Sequence, residues 1–516
     1  MTSSRNTPNK PGELEKFFSA FRRGIIGNRQ VFDGPFGQQE IVYADWTASG
    51  RAYRPIEECL QNEILPFVAN THTETTVTGA LMSGAYQEAK SIVKTHVNAG
   101  SDDVLIFCGS GMTGAVNKLQ RILGLRQPEP IPETERPVVF ITHMEHHSNQ
   151  VTWLETIATV EIIPAGDDGN VDLDHFRALL AQFSDRKTKI AAVTACSNVT
   201  GIQTPYPGIA KIIHAQGGWC FVDFACSAPY VDIDLHPPGE DAHLDAIFFS
   251  PHKFLGGPGT PGVLVFNQKL YKNAVPDQPG GGTVLYSNPW KEHEYIPNIE
   301  QREDGGTPPF LGAIKAALCI RLKERMGVAN ILRREAEVLN IIFKRFTQMQ
   351  NVRVLEGRAT ERLGVVSFII DGAHHNLVVQ ILNDRFGIQT RGGCSCAGTY
   401  GHYLLKVDKR RSAGIWNAIR SGDLSGKPGW VRLSVHPTMT DAEIDFIMDA
   451  IELTASYHRE WMKDYIYDPG SNEYSFKGAK SNEQCRVESW FNAASTCKHS
   501  GTRPLCPLPV SEKHST

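Results

Sequence analysis

The sequence predicts an α/β fold with a large, mostly parallel sheet, followed by a smaller α+β domain. Between about residues 40 and 315, apolar runs of strand length alternate with longer segments whose apolar residues recur three and four positions apart. This alternation is typical of βαβ units, in which helices cover a parallel sheet. Beyond residue 316 the chain changes to two long helical stretches and then to mixed strands and helices.

Seven apolar runs supply the predicted strands of the large domain. They are, in chain order, DVLIFC, PVVFIT, TVEIIPA, KIAAVTACS, WCFVDFA, DAIFFS and GVLVFN. Helical patterns such as SGAYQEAKSIVKTHV and GIAKIIHAQG lie between these runs. We therefore predict a lead-in with a short amphipathic helix (1–40), a large domain (41–315), a small domain (316–457) and a loosely ordered tail (458–516).

Composition and charge exclude several classes of protein. The 516 residues include 52 basic and 56 acidic side chains, so a nucleic acid or an anionic membrane is not expected as the main partner. Eleven cysteines are too few for a disulfide scaffold, and no apolar run approaches the length of a membrane span. The polar N-terminus lacks the apolar core of a signal peptide. We expect a soluble, cytoplasmic protein with reduced thiols.

A glycine-rich turn follows the first predicted strand. Residues 109–114, GSGMTG, fit the pattern G-x-G-x-x-G and lead into a helical segment. The backbone N–H groups of Gly111 and Met112 and the hydroxyl of Thr113 are therefore candidate phosphate ligands. A proline-rich loop stands where a dinucleotide would need a carboxylate. We favour a phosphate, with a nicotinamide-dinucleotide dehydrogenase and a ligand-free turn as alternatives.

The segment SPHKFLGGPG contains a lysine suited to carbonyl chemistry. Lys253 follows the end of a predicted strand, where α/β proteins bind ligands, and Ser250 and His252 beside it can donate to a phosphate. A desolvated amine there can form a Schiff base with an aldehyde. Asp223 ends the preceding strand, and an amine with a carboxylate is the pair that pyridoxal phosphate requires. The alternative is a salt bridge between these two side chains.

A run of histidines, in THMEHHSNQVTW, follows another predicted strand. We interpret His146 as a side chain that stacks on a flat cofactor ring. Metal binding by His143, Glu145, His146 and His147 is the competing interpretation, and a structural histidine is a third. Because neighbouring residues of an extended segment point in opposite directions, we predict no metal site here.

Together, these motifs resemble the class V aminotransferase group of fold-type I pyridoxal-phosphate enzymes, and cysteine desulfurases and selenocysteine lyases within it. The resemblance spans about residues 40–455, and the motifs occur in family order: YADWTASGR, GSGMTGAVN, MEHHSNQVTW, SNVTGIQTP, VDFACSAPY, SPHKFLGGPGTPGVL and EDGGTPPFLGAIKA. It implies that Asp223 holds the pyridine nitrogen, Lys253 forms the Schiff base and Asn198 lies near the cofactor hydroxyl and the substrate carboxylate. It also implies a homodimer with shared active sites, in which Thr307 reaches the neighbouring subunit's phosphate.

One residue departs from the family pattern. In VDFACSAPY, Cys226 stands where most of the family has a glutamine that hydrogen-bonds the cofactor's phenolic oxygen. A thiol is a weaker donor than an amide. The departure puts the tuning of the cofactor in doubt, though not its binding.

The segment TRGGCSCAGTYGHYLL resembles the family segment R-x-G-x-x-C-A. The resemblance makes Cys396 the nucleophile that takes sulfur from the substrate, with Arg391 as a nearby anchor and Arg432 in WVRLSVHP as the clamp for the α-carboxylate. Cys394 and Cys396 form C-x-C, so a structural, metal-binding or redox role stays open. Many class V relatives use the same cofactor without a catalytic cysteine.

We therefore expect a homodimeric pyridoxal-phosphate enzyme that converts L-cysteine to L-alanine and leaves a persulfide on Cys396, with a possible sulfur-acceptor protein as partner. Lys253 would also act as the general base. The alternatives are an aminotransferase, a C–S lyase or an epimerase of the same cofactor class, then a dehydrogenase, then a catalytically idle scaffold.

Overall fold

The structure is a computed structural model, and it describes residues 12–71, 73–127, 131–239, 241–478 and 483–493. Its strands are β1 Val31–Gly34, β2 Gly37–Glu40, β3 Val42–Tyr43, β4 Asp103–Cys108, β5 Val138–Thr142, β6 Thr159–Ile163, β7 Lys189–Thr194, β8 Trp219–Asp223, β9 Ala246–Phe249, β10 Gly262–Asn267, β11 Val284–Ser287, β12 His293–Tyr295, β13 Val352–Val354, β14 Val365–Ile370, β15 Ile388–Gln389, β16 Arg391–Gly393, β17 Trp430–Ser434, β18 Tyr465–Asp468 and β19 Glu473–Phe476.

The α-helices of the described residues are α1 Glu13–Arg22, α2 Arg54–Cys59, α3 Val77–His96, α4 Gly111–Ile122, α5 His147–Leu154, α6 Leu173–Ala181, α7 Tyr206–His214, α8 Ile299–Arg302, α9 Phe310–Met326, α10 Val328–Phe346, α11 His375–Phe386, α12 Gly398–Leu404, α13 Lys409–Arg420, α14 Asp441–Trp461 and α15 Glu483–Ala493. A short π-helical turn, Leu60–Ile64, continues α2. None of the described helices is both long enough and apolar enough to cross a membrane.

A seven-stranded sheet with the order β4-β10-β9-β8-β7-β5-β6 forms the centre of the large domain. Strand β10 is antiparallel to β4 and β9, and the other neighbouring strands are parallel. The predicted mostly parallel α/β sheet is therefore confirmed, and each of the seven apolar runs contains one of its strands.

Burial on both faces explains why these strands are continuously apolar. All six residues of β4 are buried. Leu105 and Phe107 belong to one apolar cluster, whereas Val104 and Ile106 belong to another, as expected when alternate side chains leave opposite faces of a sheet. The sheet is thus sandwiched between two hydrophobic layers.

The smaller domain contains a four-stranded antiparallel sheet with the order β13-β14-β17-β16. The segment 42–50, which precedes the large domain's sheet, packs beside this domain. Strand β3 pairs in parallel with β15, with Val42 opposite Ile388. Residue Asp45 also forms a parallel bridge to Ser434 on β17. This arrangement brings residues 42–50 to the boundary between the two sheets.

The expected loose order of the tail does not apply to residues 458–476. Helix α14 continues to Trp461, and strands β18 and β19 form an antiparallel hairpin. Tyr465 is buried against Leu377 and Ile381 of α11. Because each strand has only four residues, the apolar periodicity is too short to be read from the sequence. Cys497 and Cys506 lie outside the described residues.

Candidate active site

Lys253 lies at the end of a buried strand, as the sequence predicted. Strand β9 ends at Phe249, and Pro251–Lys253 form a single tight turn. Burial lowers the pKa of the Lys253 ammonium, and the nearby charges of Cys226 and Asp223 partly oppose this shift. The site therefore favours a neutral amine more strongly than water does.

Asp223 ends strand β8, directly beside the strand that carries Lys253. In the parallel pairing of β8 and β9, Asp223 is opposite Phe248. Its carboxylate is 3% exposed and accepts a hydrogen bond of 2.8 Å from the N–H of Ala225. Burial raises the Asp223 pKa to about 6, while the Ala225 N–H and Lys253 lower it. The structure thus brings the predicted carboxylate and the predicted amine together at the C-terminal ends of two neighbouring strands.

The glycine-rich turn packs against the segment that precedes Lys253. The N–H of Met112 donates to Ser250 Oγ at 2.8 Å. Gly111 has a φ of +62°, and a Cβ on it would lie 2.9 Å from Ser250 Oγ and 3.7 Å from a carbon of the His252 ring. Only glycine combines this backbone conformation with so close a contact. Gly111, Met112, Ser250 and His252 therefore form one cluster at the N-terminus of α4.

His146 caps helix α5 and is neutral. Its Nδ1 accepts a hydrogen bond of 3.0 Å from the N–H of Ser148, which leaves Nε2 to carry the proton. Burial, together with the nearby charge of Lys253, lowers the His146 pKa to about 3. A neutral, partly buried imidazole beside the lysine is compatible with stacking on a flat ring.

The other residues of the histidine run have separate partners. His143 Nε2 lies 3.3 Å from the carbonyl oxygen of Gly169. The buried carboxyl of Glu145 accepts hydrogen bonds from the N–H of Thr194 and the side chain of Asn149. These side chains point to different parts of the fold. Within the described residues, the one group with metal-ligand geometry is elsewhere, at His214, His243 and Asp245.

Arg432 forms a buried ion pair with a residue that the motif analysis did not single out. Arg432 Nη2 lies 2.7 Å from Asp45 Oδ1, and Arg391 Nε lies 3.0 Å from Asp45 Oδ2. One carboxylate thus contacts both predicted substrate-binding arginines. Arg432 Nη1 donates to the carbonyl of Asn198 at 3.1 Å, whereas its buried Nε has no partner among the described residues.

Asn198 connects the arginine to the loop that carries Cys396. Its Nδ2 donates to the carbonyl of Ser395 at 2.7 Å, and its Oδ1 is buried without a partner among the described residues. An unpaired buried oxygen is costly unless a ligand supplies a donor. The predicted position of Asn198 near both cofactor and substrate is compatible with this unpaired atom.

Cys226 is buried beside a second thiol, Cys196. The Cys226 thiol donates to the carbonyl of Ser197 at 3.7 Å, and Cys196 Sγ lies 3.6 Å from the same oxygen. A hydrogen bond from Cys196 lowers the Cys226 pKa, and Lys253 also lowers it, whereas burial raises the Cys196 pKa. The family's glutamine position is therefore occupied by one member of a thiol pair.

Two hydrogen bonds to His147 anchor the Cys396 loop to the start of α5. The N–H of His147 donates to the carbonyl of Cys396 at 2.7 Å, and the N–H of Gly398 donates to His147 Nε2 at 2.9 Å. Ser395 and Cys396 have φ angles of +51° and +55°. The Cys396 side chain is exposed, whereas Cys394 is half-buried. The loop therefore presents the thiol of Cys396, rather than that of Cys394, to the outside.

Two of the predicted phosphate ligands, Thr113 and Thr307, are exposed. The Oγ1 of Thr113 forms a 2.7 Å hydrogen bond with Ser148 Oγ. Thr307 lies in the loop between α8 and α9. The structure describes a single chain, so Thr307's predicted contact with a neighbouring subunit stays a prediction.

Sequence reasoning missed Asp45, His147 as an anchor, Cys196, and the buried carboxyl of Glu335. Asp45 stands inside YADWTASGR, where an acid amid apolar and small residues is a signal that can be recognised. Glu335 is 2% exposed on α10, and burial raises its pKa to about 8. Nothing in its helical surroundings distinguishes it from a solvent-facing glutamate.

A buried amine and a buried carboxylate at adjacent strand ends define an enzyme site for a carbonyl cofactor. The comparisons with known proteins agree with this class. The chain belongs to the class V aminotransferase family, whose sequence model matches residues 42–447. It is an enzyme of a pyridoxal-phosphate-dependent family, so the dehydrogenase interpretation of GSGMTG is not supported.

Several relatives of this chain are named probable cysteine desulfurases. A probable cysteine desulfurase of Halalkalibacterium halodurans is 30% identical over 406 residues, which cover 77% of this chain and 94% of the relative. A probable cysteine desulfurase of Streptomyces coelicolor is 27% identical over 448 residues, which cover 86% of this chain and 97% of the relative.

Solved structures show the same fold. An apo cysteine desulfurase from Thermococcus onnurineus superimposes with a TM-score of 0.68 at 24% identity, covering 88% of this chain and 100% of that chain. A cysteine desulfurase from Escherichia coli gives 0.66 at 21% identity, covering 87% and 99%. The predicted fold-type I architecture is confirmed.

Proposed function

We propose that this protein is a cysteine desulfurase-like enzyme that binds pyridoxal phosphate and converts L-cysteine to L-alanine. The observation that carries the proposal is a connected site. Lys253 and Asp223 lie at adjacent strand ends, and the Cys396 loop is tied to the same cluster through Asn198 and His147. The two relatives named as probable cysteine desulfurases support the same activity.

The residues present fit pyridoxal phosphate. The Lys253 amine and the buried Asp223 carboxyl match its aldehyde and its pyridine nitrogen, and the start of α4 with Ser250 and His252 is suited to a phosphate. The partnerless Asn198 Oδ1 is available to a ligand donor. When bound, the cofactor supplies an electron sink for the bonds at the amino acid's Cα.

Arg432 is suited to hold the substrate α-carboxylate. Its guanidinium is 3% exposed in the side chain, its Nε is unpaired, and its planar fork matches a carboxylate. Because Asp45 already occupies one edge of this fork, the substrate must share Arg432 with Asp45 or displace it. Lys253, with its lowered pKa, is the base that would accept and return a proton at Cα.

Cys396 is the proposed sulfur acceptor. A bond forms between the Cys396 sulfur and the substrate sulfur, while the substrate Cβ–S bond breaks and its electron pair stays on carbon, which is then protonated. The balance is L-cysteine plus the Cys396 thiol giving L-alanine plus a Cys396 persulfide. Exposure of Cys396 would let a reductant or an acceptor protein remove the outer sulfur.

The assembly and location are also proposals. We propose a homodimer with shared active sites, supported by the family resemblance and by the exposed Thr307. We propose a cytoplasmic location because an exposed, unpaired Cys396 requires a reducing compartment to remain a thiol.

A spectroscopic experiment tests the cofactor part of the proposal. Purified protein supplied with pyridoxal phosphate should show a visible absorbance band that borohydride removes, with the label retained on Lys253 in a peptide digest. Lys253→Ala should lose the label and the activity, whereas Lys272→Ala, which removes an exposed lysine, should keep both. Absence of a band in the wild-type protein would contradict the proposal.

Product analysis tests the reaction. Incubation with L-cysteine and a reductant should yield alanine and sulfide in equal amounts. Cys396→Ala should abolish alanine formation, and Cys394→Ala should serve as the matched control. Pyruvate and ammonia would instead indicate a C–S lyase. Alanine formation by Cys396→Ala at the wild-type rate would show that the persulfide mechanism is wrong.

A further inference from the structure

The small domain contains a cavity that lies apart from the Lys253 cluster. Its volume is about 410 Å³, which is within the range of small-molecule sites. The lining includes the edge of the four-stranded sheet, the start of α11, a residue of α13, and the loop before β17. The lining residues with a charged, imidazole or indole side chain are Arg353, His374, His375, Arg411, Lys427 and Trp430.

The charges around this cavity have one sign. Arg353 comes from β13, Arg411 from α13 and Lys427 from the loop before β17. None of the three forms an ion pair within the described residues. No aspartate or glutamate is among the described residues that line the cavity. Three unneutralised cations around one concave surface favour an anionic occupant.

Buried donors among the lining residues also lack acceptors. Trp430 is fully buried, and its Nε1, which can only donate, has no partner in the described chain. His375 Nε2 is likewise buried without a partner there. Buried donors without acceptors are costly, and an anion supplies acceptors.

The N-terminus of a helix also favours an anionic occupant of this cavity. Helix α11 has twelve residues and begins at His375, with His374 as its N-cap. The partial positive charge of a helix N-terminus therefore lies at the cavity wall. The cations, the unpaired donors and the helix terminus are three separate observations, and each favours negative charge.

Most of the other lining side chains are apolar. They include Phe368, Ile369 and Ile370 of β14, Val378 of α11 and Leu405. A bare inorganic ion would leave most of this surface without contact. An occupant with an apolar body and one anionic group would use both parts of the lining.

We propose that this cavity binds a small organic anion, namely a carboxylate or a phosphate monoester with an apolar body. None of its lining residues belongs to the proposed cofactor or substrate site, so the inference does not depend on the proposed function. The cavity is nevertheless close to the Cys396 loop. A Cβ on Gly401 of α12 would lie 3.2 Å from the Trp430 ring, and α12 begins two residues after Cys396.

Calorimetric titration with simple probes tests the proposal. The protein is first supplied with pyridoxal phosphate and reduced with borohydride, so that the active site is filled. Phenyl phosphate and phenylacetate are then titrated, with benzyl alcohol as the neutral probe and inorganic phosphate as the anion without an apolar body. At least one organic anion should bind saturably with one site per chain, and more tightly than either control probe.

Variants locate the binding. Arg353→Gln and Arg411→Gln should each weaken binding of the organic anion by about tenfold in Kd, because each removes one charge-assisted contact. Arg410→Gln, which removes a neighbouring exposed charge outside the lining, should bind as the wild type does. The tighter of the two probes identifies the anionic group.

The proposal is overturned if neither organic anion saturates, if benzyl alcohol binds equally well, or if Arg410→Gln weakens binding as much as the two lining variants. Because the borohydride label is measured separately, failure of the cofactor proposal is distinguishable from failure of this one. Both lining arginines are exposed, so their replacement by glutamine should leave the fold intact.

Discussion

Arg432 and Asp45, separated by 387 positions in the chain, form a buried ion pair with a 2.7 Å contact. Their side chains are 3% and 12% exposed. Asp45 also contacts Arg391, so it neutralises the site at which the substrate carboxylate is proposed to bind. A substrate carboxylate must therefore compete with a carboxylate of the protein.

Asp45→Asn should destabilise the ligand-free protein and increase the stabilisation that a bound substrate gives. Loss of one partner of a buried ion pair costs on the order of 3 kcal/mol, because the remaining charge is buried and unpaired. A bound amino acid would restore an anion beside Arg432. We therefore expect a lower Tm without ligand and a larger ligand-induced rise in Tm than in the wild type.

The control for this measurement is Asp174→Asn, which removes a carboxylate that is 94% exposed from a surface ion pair. Its effect on unfolding should stay within about 0.5 kcal/mol, and it should not alter the response to ligand. An Asp45→Asn protein whose Tm and ligand response match the wild type would contradict the proposed competition.

Glu335→Gln should change how stability depends on pH. Glu335 is buried, and burial raises its pKa from the ordinary 4.5 to about 8. Its raised pKa contributes stability that is fully present below pH 4.5 and is lost as pH rises through 8, by up to about 1.4 kcal/mol per pH unit. The glutamine variant cannot ionise.

Urea denaturation at several pH values checks this prediction. The free energy of unfolding of Glu335→Gln, relative to the wild type, should increase between pH 5 and pH 8 because only the wild type loses this contribution. Glu361→Gln, at an exposed position of the same domain, should give a constant difference. If the difference in unfolding free energy between Glu335→Gln and the wild type does not change with pH, ionisation of the Glu335 carboxyl does not destabilise the fold, and the prediction is wrong.

Cys226→Ser should alter the bound cofactor's spectrum without preventing its binding. The thiol is buried beside Cys196, and the charge of Lys253 acts on it. Since a hydroxyl is a stronger donor than a thiol, the pH at which the visible band changes should move, while borohydride should still label Lys253. Cys220→Ser is the matched buried control on β8 and should leave the spectrum unchanged. An unchanged Cys226→Ser spectrum would place the thiol outside contact with the cofactor.

His147→Leu should loosen the loop that carries Cys396. Burial lowers the His147 pKa, so its neutral Nε2 remains an acceptor for the Gly398 N–H. Leucine cannot accept this bond, whereas the amide oxygen of glutamine can. Alkylation of the Cys396 peptide, followed by mass spectrometry, should be several-fold faster in His147→Leu and near the wild-type rate in His147→Gln. Equal rates in both variants would mean that the hydrogen bond does not restrain the loop.

Much of the fold could be predicted because its signals are local. Strands inside a sheet that is covered on both faces are largely apolar, so the seven apolar runs identify the central sheet. The glycine-rich turn is similarly evident, since Gly111 requires a left-handed backbone against Ser250. The strand-end positions of Asp223 and Lys253 follow from the same runs.

The sequence by itself therefore determined the fold class, the family and the strand ends that carry the amine and the carboxylate. Only the tertiary structure decided that β10 is antiparallel, that Asp45 pairs with Arg432, that His147 holds the Cys396 loop and that cations from β13, α13 and a loop surround one cavity. The physical reason is that these contacts join segments far apart in the chain. Each side chain alone resembles an ordinary surface or core residue, and its role depends on a partner that only folding brings near.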